Sequence, residues 1–142
     1  MRRRRLQAIG LLAVLGSSGC TVVHGSPLPG AVAGGTICVE QHPEDERELS
    51  VQVVDALRKQ GLRAVAADSG RCDPRIPWRL EYTDNWSWDI RIYFLRMTLE
   101  VFDVETGESV AFGESTQDSL GAMGDSHRDV IDRAVRALVG GA

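Results

Sequence analysis

Cysteine 20 carries the most specific chemistry in this chain. Arg2 to Arg5 precede an apolar run from Leu6 to Gly16, and Ser17-Ser18-Gly19 lead into the thiol. A charged segment, a short apolar segment and small residues, in that order, make an export signal. A cysteine directly after them reads as a lipobox. The thiol takes a diacylglyceryl group through a thioether, the chain is cut before Cys20, and the new amino terminus is acylated. The apolar run is about half the ~20 residues that span a hydrocarbon core. Residues 1–19 therefore read as a cleaved signal and not as a permanent span. Ser17 stands where a lipobox usually has Leu, and Ala31-Val32-Ala33 offers an ordinary cleavage site well beyond the apolar run. Secretion as a soluble periplasmic protein is the alternative. The arginines also permit twin-arginine export, but Leu6-Gln7 lack the usual continuation of that signal. One acyl chain binds membranes only marginally, at ~10⁴ M⁻¹, whereas three chains anchor stably. Thr21, in place of an Asp, favours the outer membrane with the domain on its periplasmic side.

The second group of interest is Tyr82-Thr83-Asp84-Asn85-Trp86-Ser87-Trp88-Asp89. Trp86 and Trp88 are two apart, so on a strand they share a face. Flanked by Asp84 and Asp89, they could stack on a sugar ring, a peptide or a partner protein. The plainer role is structural: large rings close the end of a two-layer domain, with indole N–H groups satisfied by nearby carboxylates.

Two further cysteines, Cys38 and Cys72, remain once Cys20 is lipidated, and two can pair in only one way. The periplasm is oxidising, and a bridge across this separation contributes about 3–4 kcal/mol. A metal site with His24 or His42 is the competing reading, but the spacing lacks C-x-x-C or H-x-x-H. No metal or cofactor is expected.

Other reactive constellations are weak. Ser115, Ser119 and Ser126 lie outside any G-x-S-x-G. His127, between Asp125 and Asp129, falls in the first turn of a helix, where an exposed end residue is the ordinary case. Asp84 with Asp89, or Glu105 with Glu108, could form a glycosidase-like carboxylate pair, though among 20 acidic residues such pairs arise by chance. Gly121 to Gly124 lack the lysine and full glycine pattern of a phosphate loop.

Composition narrows the partners. The chain has 16 basic and 20 acidic residues and a formal net charge of −4. Losing the four signal arginines takes it to −8. An acidic exported domain is a poor nucleic-acid binder.

The elements that position these residues follow from periodicity. Residues 20–35, rich in Gly, Pro and small side chains, read as a flexible tether from Cys20, and 36–140 as a single domain. Thr36 to Glu40 is a short strand. A helix follows, with Pro43 suited to its first position, four acids in its first turn, and Leu49, Val53 and Leu57 on one stripe. Gly61 ends it. Leu62 to Ala66 and Arg79 to Thr83 are strands. Asp89 to Asp103 is the longest, with Tyr93, Leu95, Met97, Leu99 and Val101 facing the core and Ile92 and Phe94 on a partly uncovered face. A turn over 104–107 returns the chain through Glu108 to Thr116, with Val110 and Phe112 facing in. Ser126 and Asp129 make a capping box for a last helix bearing Val130, Ile131, Ala134, Val135 and Leu138. The order β-α-β-β-β-β-α predicts an α+β two-layer sandwich, with two helices on one face of a mostly antiparallel sheet of about five strands.

The pattern of Cys20, Ile37-Cys38-Val39, Gly61, Cys72, the Y-T-x-x-W-x-W-D stretch over 82–89 and Tyr93 resembles a family of small, functionally uncharacterised lipoproteins of Gram-negative bacteria. That resemblance spans most of the mature domain. It implies a periplasmic domain with a Cys38–Cys72 bridge and supplies no catalytic residues. The expected function is a lipid-anchored, non-enzymatic binding or assembly module. Its partners would be the membrane, through the anchor, and an envelope protein or the cell wall. A small envelope enzyme acting on cell-wall sugars or peptides, with Asp84 or Asp89 as the acid, and a purely structural lipoprotein are the alternatives.

Overall fold

A computed structural model describes residues 21–88, 92–117 and 126–140. Its elements are β1 (Thr21–Ser26), α1 (Gly30–Ala33), β2 (Thr36–Glu40), α2 (Leu49–Lys59), β3 (Arg63–Ala67), β4 (Trp78–Trp88), β5 (Ile92–Asp103), β6 (Ser109–Gln117) and α3 (His127–Val139). The strands form one sheet in the order β1-β6-β5-β4-β2-β3. The β1–β6, β6–β5 and β5–β4 pairings are antiparallel, while β2 pairs in parallel with both β3 and β4. The α2 helix provides the crossover that a parallel β2–β3 pair requires. Helices α2 and α3 pack on each other and over one face of the sheet. The α+β sandwich expected from the sequence is present, but the sheet is mixed and has six strands.

The additional strand comes from the segment expected to be a tether. Thr21–Ser26 pairs residue by residue with β6, from Thr21 opposite Gln117 to Ser26 opposite Phe112. Gly30–Ala33 then forms the short α1, which buries Val32. The residue that follows Cys20 is thus already part of the sheet. Two glycines permit this. Gly25 and Gly113 face each other across β1 and β6, and a Cβ on Gly113 would lie 2.3 Å from the Ala134 carbonyl oxygen of α3. The helix backbone rests directly on the glycine pair, an approach no larger residue allows.

Helix α3 begins as the sequence predicts: the Asp129 carboxylate accepts from both the N–H and the hydroxyl of Ser126, at 2.7 and 2.8 Å. Helix α2 starts six residues later than Pro43. The Asp45 carboxylate takes the N–H groups of Arg47, Leu49 and Ser50, and Glu48 adopts a left-handed conformation at φ 54°. A side chain that satisfies the first helical donors from outside the helix offers the preceding segment an alternative to helix.

The core is built from Ile37, Val39, Leu49, Val53, Leu57, Leu80, Met97, Leu99, Val101, Ile131 and Leu138. Two bulges correct the expected strand faces. Asn85 pairs with Arg96 and Trp86 with Phe94, which leaves Leu95 without a register partner. The extra residue reverses the alternation, so Phe94, expected on an uncovered face, is 3% exposed in the core. On β6, Val101 pairs with Ala111 and Phe102 with Ser109, which skips Val110. Ala111 therefore points inward, while Phe112, expected inside, faces out at 39% exposure.

Cys38 and Cys72 form a disulfide with Cα atoms 6.0 Å apart. It ties β2 to the connection before β4, on the sheet face opposite Ile37 and Val39. The thiolates that the competing metal reading needs are consumed.

Candidate functional site

Strand β4 carries the tryptophan stretch, and alternation from the buried Leu80 and Tyr82 puts Trp86 on the helix-covered side, where the β5 bulge brings Phe94 opposite it. The Trp86 Nε1–H donates to Asp84 Oδ2 at 2.6 Å. Phe94 stacks on the indole, with centroids 4.6 Å apart and planes 16° from parallel. The Arg47 guanidinium lies 4.2 Å over the same ring system, within cation–π range. The His127 ring, at the start of α3, sits 6.3 Å away. The half-buried indole thus closes the end of the core where the α2 approach, the β4–β5 ribbon and α3 meet. Asp84, one of the two proposed acids, is bound to the ring beside it. Asp89 and the side chain of Trp88 lie outside the described residues. Trp78 also packs against the core, but it sits at the other end of β4, roughly 25 Å away at ~3.3 Å per residue. The tryptophans do not form one cluster.

Beside this group is a polar network with no sequence signal. Gln117 and Ser115 are buried on β6. The Gln117 Nε2 donates to the Phe94 carbonyl at 2.8 Å, satisfying a ladder group next to the bulge. Arg133 of α3 donates to Gln117 Oε1 at 2.9 Å and to Ser115 Oγ at 3.3 Å. Ser115 is thereby a structural hydroxyl.

A second network caps α2. The Tyr82 hydroxyl donates to Asp45 Oδ2 at 2.7 Å and accepts the His42 N–H at 3.0 Å. Burial opposes ionisation of Asp45, but the Leu49 N–H, the Tyr82 hydroxyl and the Ser50 and Arg47 N–H groups outweigh it and hold the carboxyl below its ordinary value. Burial, and then the neighbouring Asp45, push the Tyr82 hydroxyl up.

The sheet face opposite the helices bears the exposed Phe112 and Val22 beside a polar group. His24 Nε2 contacts Glu114 Oε1 at 3.0 Å, and the Thr98 hydroxyl donates to Glu114 Oε2 at 2.9 Å. Burial raises Glu114, yet these bonds to Thr98 and His24 hold it below its ordinary value. His24, weighed as a metal ligand from the sequence, is a partner of Glu114. Among the described residues no three His, Cys, Asp or Glu side chains are grouped as a metal site. Glu105 and Glu108 flank the β5–β6 turn in solvent. Between α2 and α3, Gln52, Asp55, Lys59, Arg128, Ile131 and Asp132 line a pocket of about 20 Å³, room for roughly one water molecule. Among the described residues no helix is long and apolar enough to cross a membrane.

The sequence matches no protein-family model and no curated protein. Among solved structures, the fold is similar to that of the PelC dodecamer from Paraburkholderia phytofirmans. The TM-score is 0.59 at 14% identity, over 84% of this chain and 98% of that one. A point variant of that PelC dodecamer gives a TM-score of 0.60 at 16% identity, over 84% of this chain and 95% of the other. The likeness is one of fold.

Proposed function

We propose that this chain is a lipid-anchored envelope lipoprotein that acts by binding or assembly and not by catalysis. The observation that supports the reading is how the acidic and hydroxyl groups near the tryptophan stretch are used among the described residues. Asp84 is engaged by Trp86, Asp45 by Tyr82 and the α2 amides, and Ser115 by Arg133. An enzyme needs an acid, base or nucleophile directed into a cleft beside a second such group; these side chains are instead directed into the fold. The lipobox at Cys20 supports placement at the outer membrane, facing the periplasm, and the resemblance to small Gram-negative lipoproteins agrees with it. The fold likeness to PelC, over nearly the whole of a chain that forms a dodecamer, supports assembly as the mode of action. Light scattering and crosslinking of the detergent-solubilised full chain test this. Discrete species larger than one chain, or a defined envelope adduct, are expected. A lone monomer that hydrolyses cell-wall fragments, with activity lost in Asp84→Asn, contradicts the reading and restores the enzyme alternative.

A further inference from the structure

Strand β1 differs from the rest of the sheet in what holds it. All six of its residues are exposed, so its pairing with β6 adds no side chain to the core. Ordering a strand for backbone bonds alone is close to balanced, because the net gain of each bond is similar to the conformational entropy that its residue loses. The chain locks into the core only afterwards: the Leu28 N–H donates to the Leu138 carbonyl at 2.9 Å, and Val32 is fully buried. Pro27-Leu28-Pro29 stands between the strand and that buried valine. Each proline fixes φ and lacks an N–H for the ladder, so the segment ends β1 and forms a pivot.

What the β6 edge accepts is nevertheless narrow. Opposite Gly113 the incoming strand needs a glycine: a Cβ on Gly25 would lie 2.6 Å from the Phe112 carbonyl oxygen and 2.8 Å from the Ala137 carbonyl oxygen of α3. Opposite the Glu114 carboxylate it needs a cation or a donor, and His24 Nε2 meets Glu114 Oε1 at 3.0 Å. The same imidazole stands edge-on to the Phe112 ring, with centroids 6.5 Å apart. A histidine followed directly by a glycine satisfies all three neighbours. The β1 strand of a second copy carries both residues in the same register. An exchanged strand keeps every contact it made within its own chain, which makes exchange a low-cost route to assembly. Here the segment to be exchanged is held without buried side chains and joined through a proline pivot.

We propose that β1 is exchanged between copies of this chain: Thr21–Ser26 of one copy completes the sheet of the next by pairing with its β6, and Pro27-Leu28-Pro29 is the pivot. This rests on the assembly reading above. The test co-expresses two full-length chains with different affinity tags, one carrying His24→Cys and the other Glu114→Cys. The solubilised protein is treated with a short bismaleimide, and peptide mass analysis locates the joined positions. A covalent pair bearing both tags, linked between positions 24 and 114, is expected at several-fold the yield obtained when Glu105→Cys replaces Glu114→Cys. A chain carrying both His24→Cys and Glu114→Cys reports whether the strand still pairs. If that chain closes only on itself, the mixed chains give no 24–114 link and light scattering still finds oligomers, exchange is overturned and assembly stands. A lone monomer in light scattering overturns the assembly reading, and exchange with it.

Discussion

Replacing both bridged cysteines by alanine, Cys38→Ala with Cys72→Ala, probes the disulfide without leaving a buried hydroxyl. Serine would confound the measurement, because Cys38 is 1% exposed and an unpartnered buried hydroxyl carries its own penalty of about 1–3 kcal/mol. The sequence separation is 34. Loop-closure entropy for a ring of that size gives about 4 kcal/mol at 25 °C. A domain of this length shifts its Tm by about 3–5 °C per kcal/mol, so the variant should melt about 10–20 °C below the parent. Differential scanning calorimetry of the two proteins reads this directly. The parent treated with reductant after unfolding and refolding should match the variant. A variant melting within a degree or two of the parent would refute the reasoning: the bridge would then be absent, or the unfolded chain already as compact as the closed loop allows.

Trp86→Ala removes the Phe94 stack, the Arg47 contact and the donor to Asp84. For a half-buried ring the loss should be about 2 kcal/mol in urea denaturation, and unchanged stability would revive Trp86 as a ligand-binding side chain. Gly113→Ala places a methyl group 2.3 Å from the Ala134 carbonyl oxygen. It should cost about 1–3 kcal/mol and increase amide exchange in β1, whereas unaltered exchange would mean α3 does not rest on the glycine pair. Asp45 is held below its ordinary value of 3.8. Its contribution is complete above the unfolded value and is lost as pH falls through the folded one. The acid limb of the stability curve should accordingly be shallower in Asp45→Asn than in the parent, and parallel limbs would count against the α2 cap.

Local signals wrote much of this fold. The Ser126–Asp129 box, the stripe of α3 and the β2 strand all depend on residues within a few positions of each other, and each forms where periodicity places it. The disulfide was legible because assigning Cys20 to the lipobox leaves only Cys38 and Cys72. The bond from the Trp86 indole to a neighbouring carboxylate was legible because Asp84 lies two residues away. Features created by distant pairing were not. The faces of Phe94 and Phe112 invert because single residues, Leu95 and Val110, drop out of register, and no local pattern announces where a partner strand will skip. Strand β1 looks like linker because Thr21–Ser26 is short, next to prolines and glycines, and stabilised by β6 and α3. Arg133, Gln117 and Ser115 are polar residues in unrelated stretches that only the packing of α3 on β6 unites.

The anchor is the claim on which location and proposed mode of action both depend. Intact mass analysis of the protein extracted from envelopes, with fragmentation of its first residues, measures it. The account predicts a chain that begins at Cys20 and carries a diacylglyceryl thioether and an N-acyl group. A chain beginning beyond residue 20, or an unmodified Cys20, contradicts it.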